Sequence, residues 1–147
     1  MCVSALDVLR RCAKRMYLLK LLRHQGMWGE QLSVVTYSII VSRILYALPA
    51  WGGFLSTELA NKINALFRRL KRFGYTTCNI TVSNLIDTSG RDLFRNLCSS
   101  EHFLHHMLPP ERKYINLRNR GHPYELPEYC TNLHKKSFII QSLYLYI

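Results

Sequence analysis

Acidic residues are scarce in this sequence. Its 147 residues include only nine Asp and Glu, and no two of them are adjacent. A two-metal nucleotidyl-transfer centre needs clustered carboxylates that hold two metal ions roughly 3.5–4 Å apart. The sequence therefore offers no candidate catalytic residue for such a centre. Asp87 and Asp92 flank a Ser-Gly pair, and we predict that they cap short helices.

Motifs for metal or nucleotide binding are also missing. No CxxC occurs, so zinc-ribbon and thioredoxin-like sites lack their motif. Neither G-x-S-x-G nor a glycine-rich phosphate loop is present, and we expect no cofactor. One group of possible zinc ligands has spacings that match no familiar finger, so we predict packed or solvated side chains and no metal there: Cys98, His102, His105 and His106.

Disulfides and a signal peptide are not expected. The five cysteines are an odd number and widely scattered, which suits a reducing compartment. Cations lie near the N-terminus where a signal peptide needs an uninterrupted apolar segment. We expect an intracellular protein, nuclear or cytoplasmic.

A single apolar run, residues 32–50, suggests a membrane span. Arg43 lies inside this run, and an arginine at the bilayer centre costs about 2.5–3.5 kcal/mol. Pro49 closes the run early, and a buried helix produces the same pattern. We favour no membrane span, with a small membrane-associated basic protein as an alternative.

Positive charge, by contrast, is in excess. The chain has 20 Lys and Arg and a net charge of +11, which makes a polyanion, and nucleic acid first, the expected partner. Cationic ridges on helices can track a phosphate backbone. Two such ridges supply our predicted nucleic-acid-binding residues: Arg10, Arg11, Lys14, Arg15, Arg68, Arg69, Lys71 and Arg72.

Hydrophobic periodicity predicts a mainly α-helical fold with three helices in its first half. The predicted helices cover residues 4–25, 30–47 and about 56–73. Gly26 and Gly74 occupy helix-stop positions, and Ser56 is a predicted N-cap. Residues 18–22 are apolar almost all round, which predicts that other elements enclose this part of the first helix.

The pattern becomes mixed after residue 75. Short helices are predicted at residues 81–87, 92–99 and 101–108, with a break at Ser89-Gly90. Strand-like segments follow, and they predict a small β-hairpin-like C-terminal part: residues 114–117, 124–127 and 137–140, with a turn at Gly121. We therefore divide the chain into residues 1–75, a helical subdomain, and residues 76–147, a segment of short helices and strands.

Four stretches resemble, in order and spacing, the C-terminal part of non-LTR (LINE-type) retrotransposon reverse transcriptases. The family's stretches read KRLYFLKLL, LxYAxPxW with a following helix that ends RRxKRFGY, HxLHHLLPP, and LRxRGHxYxLP…TxLxKKSF. The similar stretches of this chain are residues 13–23, residues 42–51 with 59–75, residues 102–110 and residues 117–138.

The resemblance implies that residues 1–75 are a helical thumb that grips a template–primer duplex. It also implies that the fingers and palm, with the catalytic aspartates, lie upstream of Met1. We therefore expect a non-catalytic fragment of an RNA-directed DNA polymerase from a transposable element, with the missing fingers and palm as a second partner. The alternative is a structural or interaction remnant without a nucleic-acid ligand, whose apolar face packed on the missing palm.

Overall fold

The computed structural model describes residues 2–46, 48–112 and 122–146, and it confirms a mainly α-helical protein. A π-helical turn, Tyr37–Val41, joins α2 to α3, and 3₁₀ turns lie at Gly52–Phe54 and His105–Met107. The α-helices in the described part of the chain are α1 (Cys2–His24), α2 (Gly29–Thr36), α3 (Ser42–Leu45), α4 (Leu48–Trp51), α5 (Thr57–Arg72), α6 (Val82–Leu97), α7 (Asn132–Lys135) and α8 (Phe138–Leu145).

These elements form two compact units. Unit 1 consists of Met1–Leu48 with Leu55–Ile86, and unit 2 consists of Pro49–Phe54 with Asp87–Ile147. Residue 75, our sequence-based boundary, lies in the connection between α5 and α6.

In unit 1, α1 buries a narrow stripe. Cys12 and Leu19 are fully buried, and because they are two turns apart they share one helix face. The predicted enclosure of residues 18–22 is wrong, since Leu18 and Leu21 are 49% and 45% exposed. Helical periodicity places Leu21 on the side of α1 opposite Leu19 and Leu18 on its flank, and both side chains face outward.

Helix α5 matches its predicted pattern closely. The Ser56 side chain accepts a hydrogen bond from the Leu59 backbone N–H at 3.3 Å, which caps the helix as predicted. Its apolar stripe is buried, and α5 packs against α1. The buried residues of the stripe are Leu59, Ile63, Leu66, Phe67 and Leu70.

Helices α1 and α5 each end in a chain reversal of the same kind. Gly26 has φ +91° and Gly74 has φ +70°, a region that glycine enters without the Cβ penalty of other residues. After α1, the Met27 N–H donates to the Leu22 carbonyl at 3.1 Å. After α5, the Tyr75 N–H donates to the Leu70 carbonyl at 3.0 Å. Both ends are therefore Schellman motifs.

The predicted second helix is one helical stretch from α2 to α3. Its π turn is visible in the bond from the Ser42 N–H to the Tyr37 carbonyl, five residues earlier. Pro49 does not simply end this helix, because it lies in the first turn of α4. A proline is tolerated there, since the first N–H groups of a helix have no intrahelical acceptor.

By length and composition, Glu30–Phe54 is the one helical stretch among the described residues that could cross a membrane. A core helix of a water-soluble protein passes the same test, and Leu32, Ile40 and Ile44 are fully buried here. The absence of a membrane span stays a prediction.

Helix α6, whose residues from Asp87 onward belong to unit 2, corrects the predicted pair of short helices. It runs unbroken from Val82 to Leu97 through Gly90. Gly90 is buried, and a Cβ on it would lie 2.9 Å from the Tyr146 hydroxyl oxygen. Glycine weakens this helix by about 1 kcal/mol relative to alanine, but it gives the tyrosine room to approach. Close packing therefore explains Gly90 better than a helix break.

The predicted strand at residues 137–140 is also wrong, because Ser137 is the N-cap of α8 and residues 138–140 form its first turn. Ile140 and Leu143 are buried one turn apart on this helix, and Leu143 packs in a core with Phe94 and Tyr124. A short apolar run does not distinguish a strand from a buried helix.

The β-hairpin is not confirmed. An isolated antiparallel bridge joins Glu111 to Tyr124, while the predicted strand at residues 114–117 and its turn at Gly121 lie outside the described residues. Residues 101–108 form only a 3₁₀ turn. The Leu104 N–H donates to Nδ1 of His102 at 3.3 Å, and such local side-chain bonds compete with a helical ladder.

The positive φ of Gly74 generates a stability prediction. We expect Gly74→Ala to lower the free energy of unfolding by about 1–2 kcal/mol, because alanine is disfavoured in the left-handed region. Nothing lies within 4 Å of a Cβ built on Gly74, so the effect is conformational and not steric. Urea denaturation followed by circular dichroism measures it. Gly74→Asn is the control, since asparagine tolerates this conformation. Equal losses in both variants would contradict the explanation.

Candidate nucleic-acid interface

All eight predicted nucleic-acid-binding residues lie in unit 1, on the two helices that pack together, α1 and α5. By sequence, unit 1 carries twelve Lys and Arg against three Asp and Glu, a net charge of +9. Unit 2 carries eight against six, a net charge of +2. The positive charge of the chain is therefore concentrated in unit 1.

The four predicted nucleic-acid-binding cations of α1 divide into two kinds. Arg10 and Lys14 are exposed, one turn apart, and neither has a side-chain partner among the described residues. Arg11 is exposed and forms a 2.9 Å ion pair with Asp7. Arg15 is half-buried and donates to the Ile39 carbonyl at 2.6 Å, inside the π turn. Of these four, Arg10 and Lys14 are thus the most available to a phosphate.

Arg15 belongs to a small contact between α1 and the π turn. One turn away on α1, the thiol of Cys12 donates to the Ile40 carbonyl at 3.9 Å. Burial raises the pKa of the Cys12 thiol, and the nearby positive charges of Arg15 and Arg43 lower it by less. The contact therefore holds a neutral, inert thiol and commits part of the Arg15 guanidinium to the fold.

The cations of α5 show the same division. Arg68 and Arg69 are exposed and have no side-chain partner within the described residues. Lys71 donates to the side-chain oxygen of Asn79, and the Arg72 guanidinium lies 5.2 Å from the centre of the Phe73 ring. Since Lys71 and Arg72 also stand near a helix C-terminus, part of their effect is to stabilise that end.

Sequence reasoning missed Arg23, which joins the ends of α1 and α5. Its guanidinium donates to the Phe73 carbonyl at 2.5 Å and lies 5.1 Å from the centre of the Trp28 ring. A basic residue in the last turn of α1 was the available signal, but the acceptor is 50 residues away in sequence.

The hydrogen bond from Arg23 to the Phe73 carbonyl places the C-terminal end of α1 beside the C-terminal end of α5. At 1.5 Å per residue, Lys14 and Arg10 lie roughly 13–20 Å along α1 from Arg23. The cations of α5 lie beside Phe73, close to Arg23. The bond between Arg23 and Phe73 therefore lies about two and a half to three and a half turns of α1 from Lys14 and Arg10.

Metal binding gains no support from the geometry. In residues 2–46, 48–112 and 122–146, no group of three or more His, Cys, Asp or Glu side chains could hold a metal ion. Nδ1 of His105 lies 3.0 Å from the Leu97 carbonyl oxygen, and Nδ1 of His106 lies 2.8 Å from that of Phe103. Each of these two imidazoles is therefore within hydrogen-bond distance of a nearby backbone carbonyl.

The two predicted capping aspartates have a different role. Asp87 and Asp92 lie inside α6, because that helix does not break at Gly90. Asp87 pairs with Arg91 at 3.0 Å, and Asp92 lies 4.0 Å from Arg95. Both are exposed helix pairs at spacings of four and three residues, which contribute only a few tenths of a kcal/mol, about 0.2–0.5.

No protein-family model, curated protein or solved structure matches this chain.

The buried thiol generates a labelling prediction. At pH 8 we expect iodoacetamide to modify the exposed Cys78 and Cys130 quickly and Cys12 many times more slowly, because the thiolate is the nucleophile and burial raises the pKa of Cys12. Peptide mapping by mass spectrometry separates the sites. In urea all three should react alike. A native Cys12 that reacts as fast as Cys78 would refute the contact described here.

Proposed function

We propose that this chain binds nucleic acid through the basic faces of α1 and α5, as a non-catalytic fragment of the RNA-directed DNA polymerase of a non-LTR retrotransposon. The observation that carries the binding proposal is the concentration of charge, +9 in unit 1 against +2 in unit 2. The origin of the chain rests on the resemblance of its motifs to that family.

Four cations support a phosphate-binding role most directly. Arg10, Lys14, Arg68 and Arg69 are exposed and unpaired within the described part of unit 1. They lie on two helices of unit 1 that pack together. Cations without protein partners attract phosphates without first giving up an ion pair, and their contacts release counterions from the nucleic acid.

The salt dependence of binding tests this proposal. For four to six phosphate contacts on a primer–template duplex, we expect log K to fall with log salt concentration with a slope of about −3.5 to −5.5. Fluorescence anisotropy with a labelled duplex between 50 and 300 mM NaCl measures the slope. A flat response, or no binding at the lowest salt, would refute the proposal.

Charge-matched double variants locate the interface. We expect Arg10→Ala/Lys14→Ala and Arg68→Ala/Arg69→Ala each to weaken duplex binding and to reduce the size of the salt slope by about 2, or 1 per lost contact. The control is Lys135→Ala/Lys136→Ala, which removes the same charge from exposed positions of unit 2. If all three pairs cause equal losses, the binding is nonspecific attraction to net charge.

A second candidate function has an observation of its own. Tyr17, Leu18 and Leu21 are exposed on one side of α1, and an apolar patch of this kind marks a surface that packs on another protein. In that alternative, the chain is an interaction remnant whose partner was the palm of the parent polymerase.

Self-association separates this second candidate from the first. If the patch requires a partner, the purified chain should associate with itself, and Leu18→Gln/Leu21→Gln should reduce that association. Size-exclusion chromatography with light scattering measures the mass. A monodisperse monomer without any partner would argue against the interaction remnant.

A further inference from the structure

A groove in unit 1 has a composition that the basic helix faces do not explain. It lies between the C-terminal part of α1, the turn that follows it and the end of α5, and it has a volume of about 570 Å³. This volume is within the range of small-ligand sites, roughly 300–1,000 Å³. The groove is lined by Met16, Tyr17, Lys20, Arg23, His24, Trp28, Phe73 and Tyr75.

The lining combines flat rings with positive charge and contains no acidic side chain. Three of its aromatic residues are well exposed: Tyr17 is 69% exposed, Trp28 63% and Phe73 40%. Large aromatic rings normally bury most of their area. Rings left exposed beside cations are the arrangement with which proteins bind single-stranded nucleic acid, by base stacking and phosphate attraction.

The geometry of the groove is held by the fold. The two Schellman motifs turn the chain directly before Trp28 and directly before Tyr75. Arg23 holds the two ends together through the Phe73 carbonyl and lies over the Trp28 ring. The rings of Phe73 and Tyr75 are 5.9 Å apart and tilted by 59°. The ring positions are thus set by backbone and cation contacts before any ligand arrives.

We propose that this groove binds an unpaired nucleobase of a single strand, with Trp28 as the stacking surface and Lys20 near the adjacent phosphate. The inference rests on the proposed nucleic-acid binding and extends it from duplex phosphates to an exposed base. Stacking on an aromatic ring tolerates every base, because each has a π face. The groove therefore recognises single-strandedness and not sequence.

Two oligonucleotides of equal charge test this assignment in the full chain. The probes are fluorescein-labelled dT12 and a twelve-unit abasic strand with the same phosphates. We expect dT12 to bind about tenfold more tightly, within the range measured for stacking of one base on an aromatic residue. Trp28→Leu should reduce dT12 binding to the level of the abasic strand and leave the abasic strand unchanged. Trp28→Phe should retain most of the difference.

The matched control is Tyr46→Leu, which removes an aromatic residue of unit 1 that is 90% exposed and does not line the groove. It should leave both affinities unchanged. Equal binding of dT12 by the wild type and Trp28→Leu would overturn the assignment, and so would equal losses for both strands. A change of oligomeric mass in Trp28→Leu, measured by light scattering, would instead assign the groove to a contact between copies of the chain.

A spectroscopic measurement does not depend on how Trp28→Leu folds. The chain has two tryptophans, Trp28 and Trp51, so Trp51→Phe leaves Trp28 as the only tryptophan reporter. We expect dT12, but not the abasic strand, to quench its fluorescence, and equal quenching would refute stacking.

If the double variants of α1 and α5 weaken binding while dT12 and the abasic strand bind alike, the groove inference fails and the proposed function remains. If neither strand binds at low salt, both fail.

Discussion

The last carbonyl groups of every α-helix have no intrahelical donor, and in unit 1 two such ends come together. Glycines with positive φ turn the chain and let backbone N–H groups satisfy carbonyls at the ends of α1 and α5. Arg23 then donates to Phe73, the residue that ends α5. Much of the local architecture follows from this requirement, including where Trp28 and Tyr75 lie and why cations gather there.

Positive charge alone is a poor guide to the interface, because several cations bind acceptors within unit 1. Arg23 donates to the Phe73 carbonyl at the end of α5, Lys71 donates to the side-chain oxygen of Asn79, and Arg15 donates to a carbonyl of the π turn. These cations have roles within the fold. Arg10, Lys14, Arg68 and Arg69 have no such partners in the described chain, and neither does Lys20, which lines the groove. The proposed nucleic-acid binding depends on these unpaired cations.

The parts of the fold that the sequence predicted well are those whose pattern is long and periodic. Helix α5 has a five-residue apolar stripe, a serine N-cap and a glycine stop, and each of these signals acts within a few residues. The failures occurred where a long-range contact decides. Gly90 lies inside α6 beside Tyr146, and residues 138–140 are helical with Ile140 buried in unit 2. The residues that pack against these positions are distant in sequence, so a local pattern does not reveal them.

At the candidate site, too, some features follow from local sequence and others only from tertiary packing. The sequence by itself determined the net charge, the two cationic ridges and the two helix ends, because charge and capping depend on residue type and local spacing. The tertiary structure alone decided which cations remain unpaired and which aromatic rings share a groove. The reason is physical: the Ile39 carbonyl that binds Arg15 is 24 residues away, and the Phe73 carbonyl that binds Arg23 is 50 residues away. Such pairs exist only after the helices have packed.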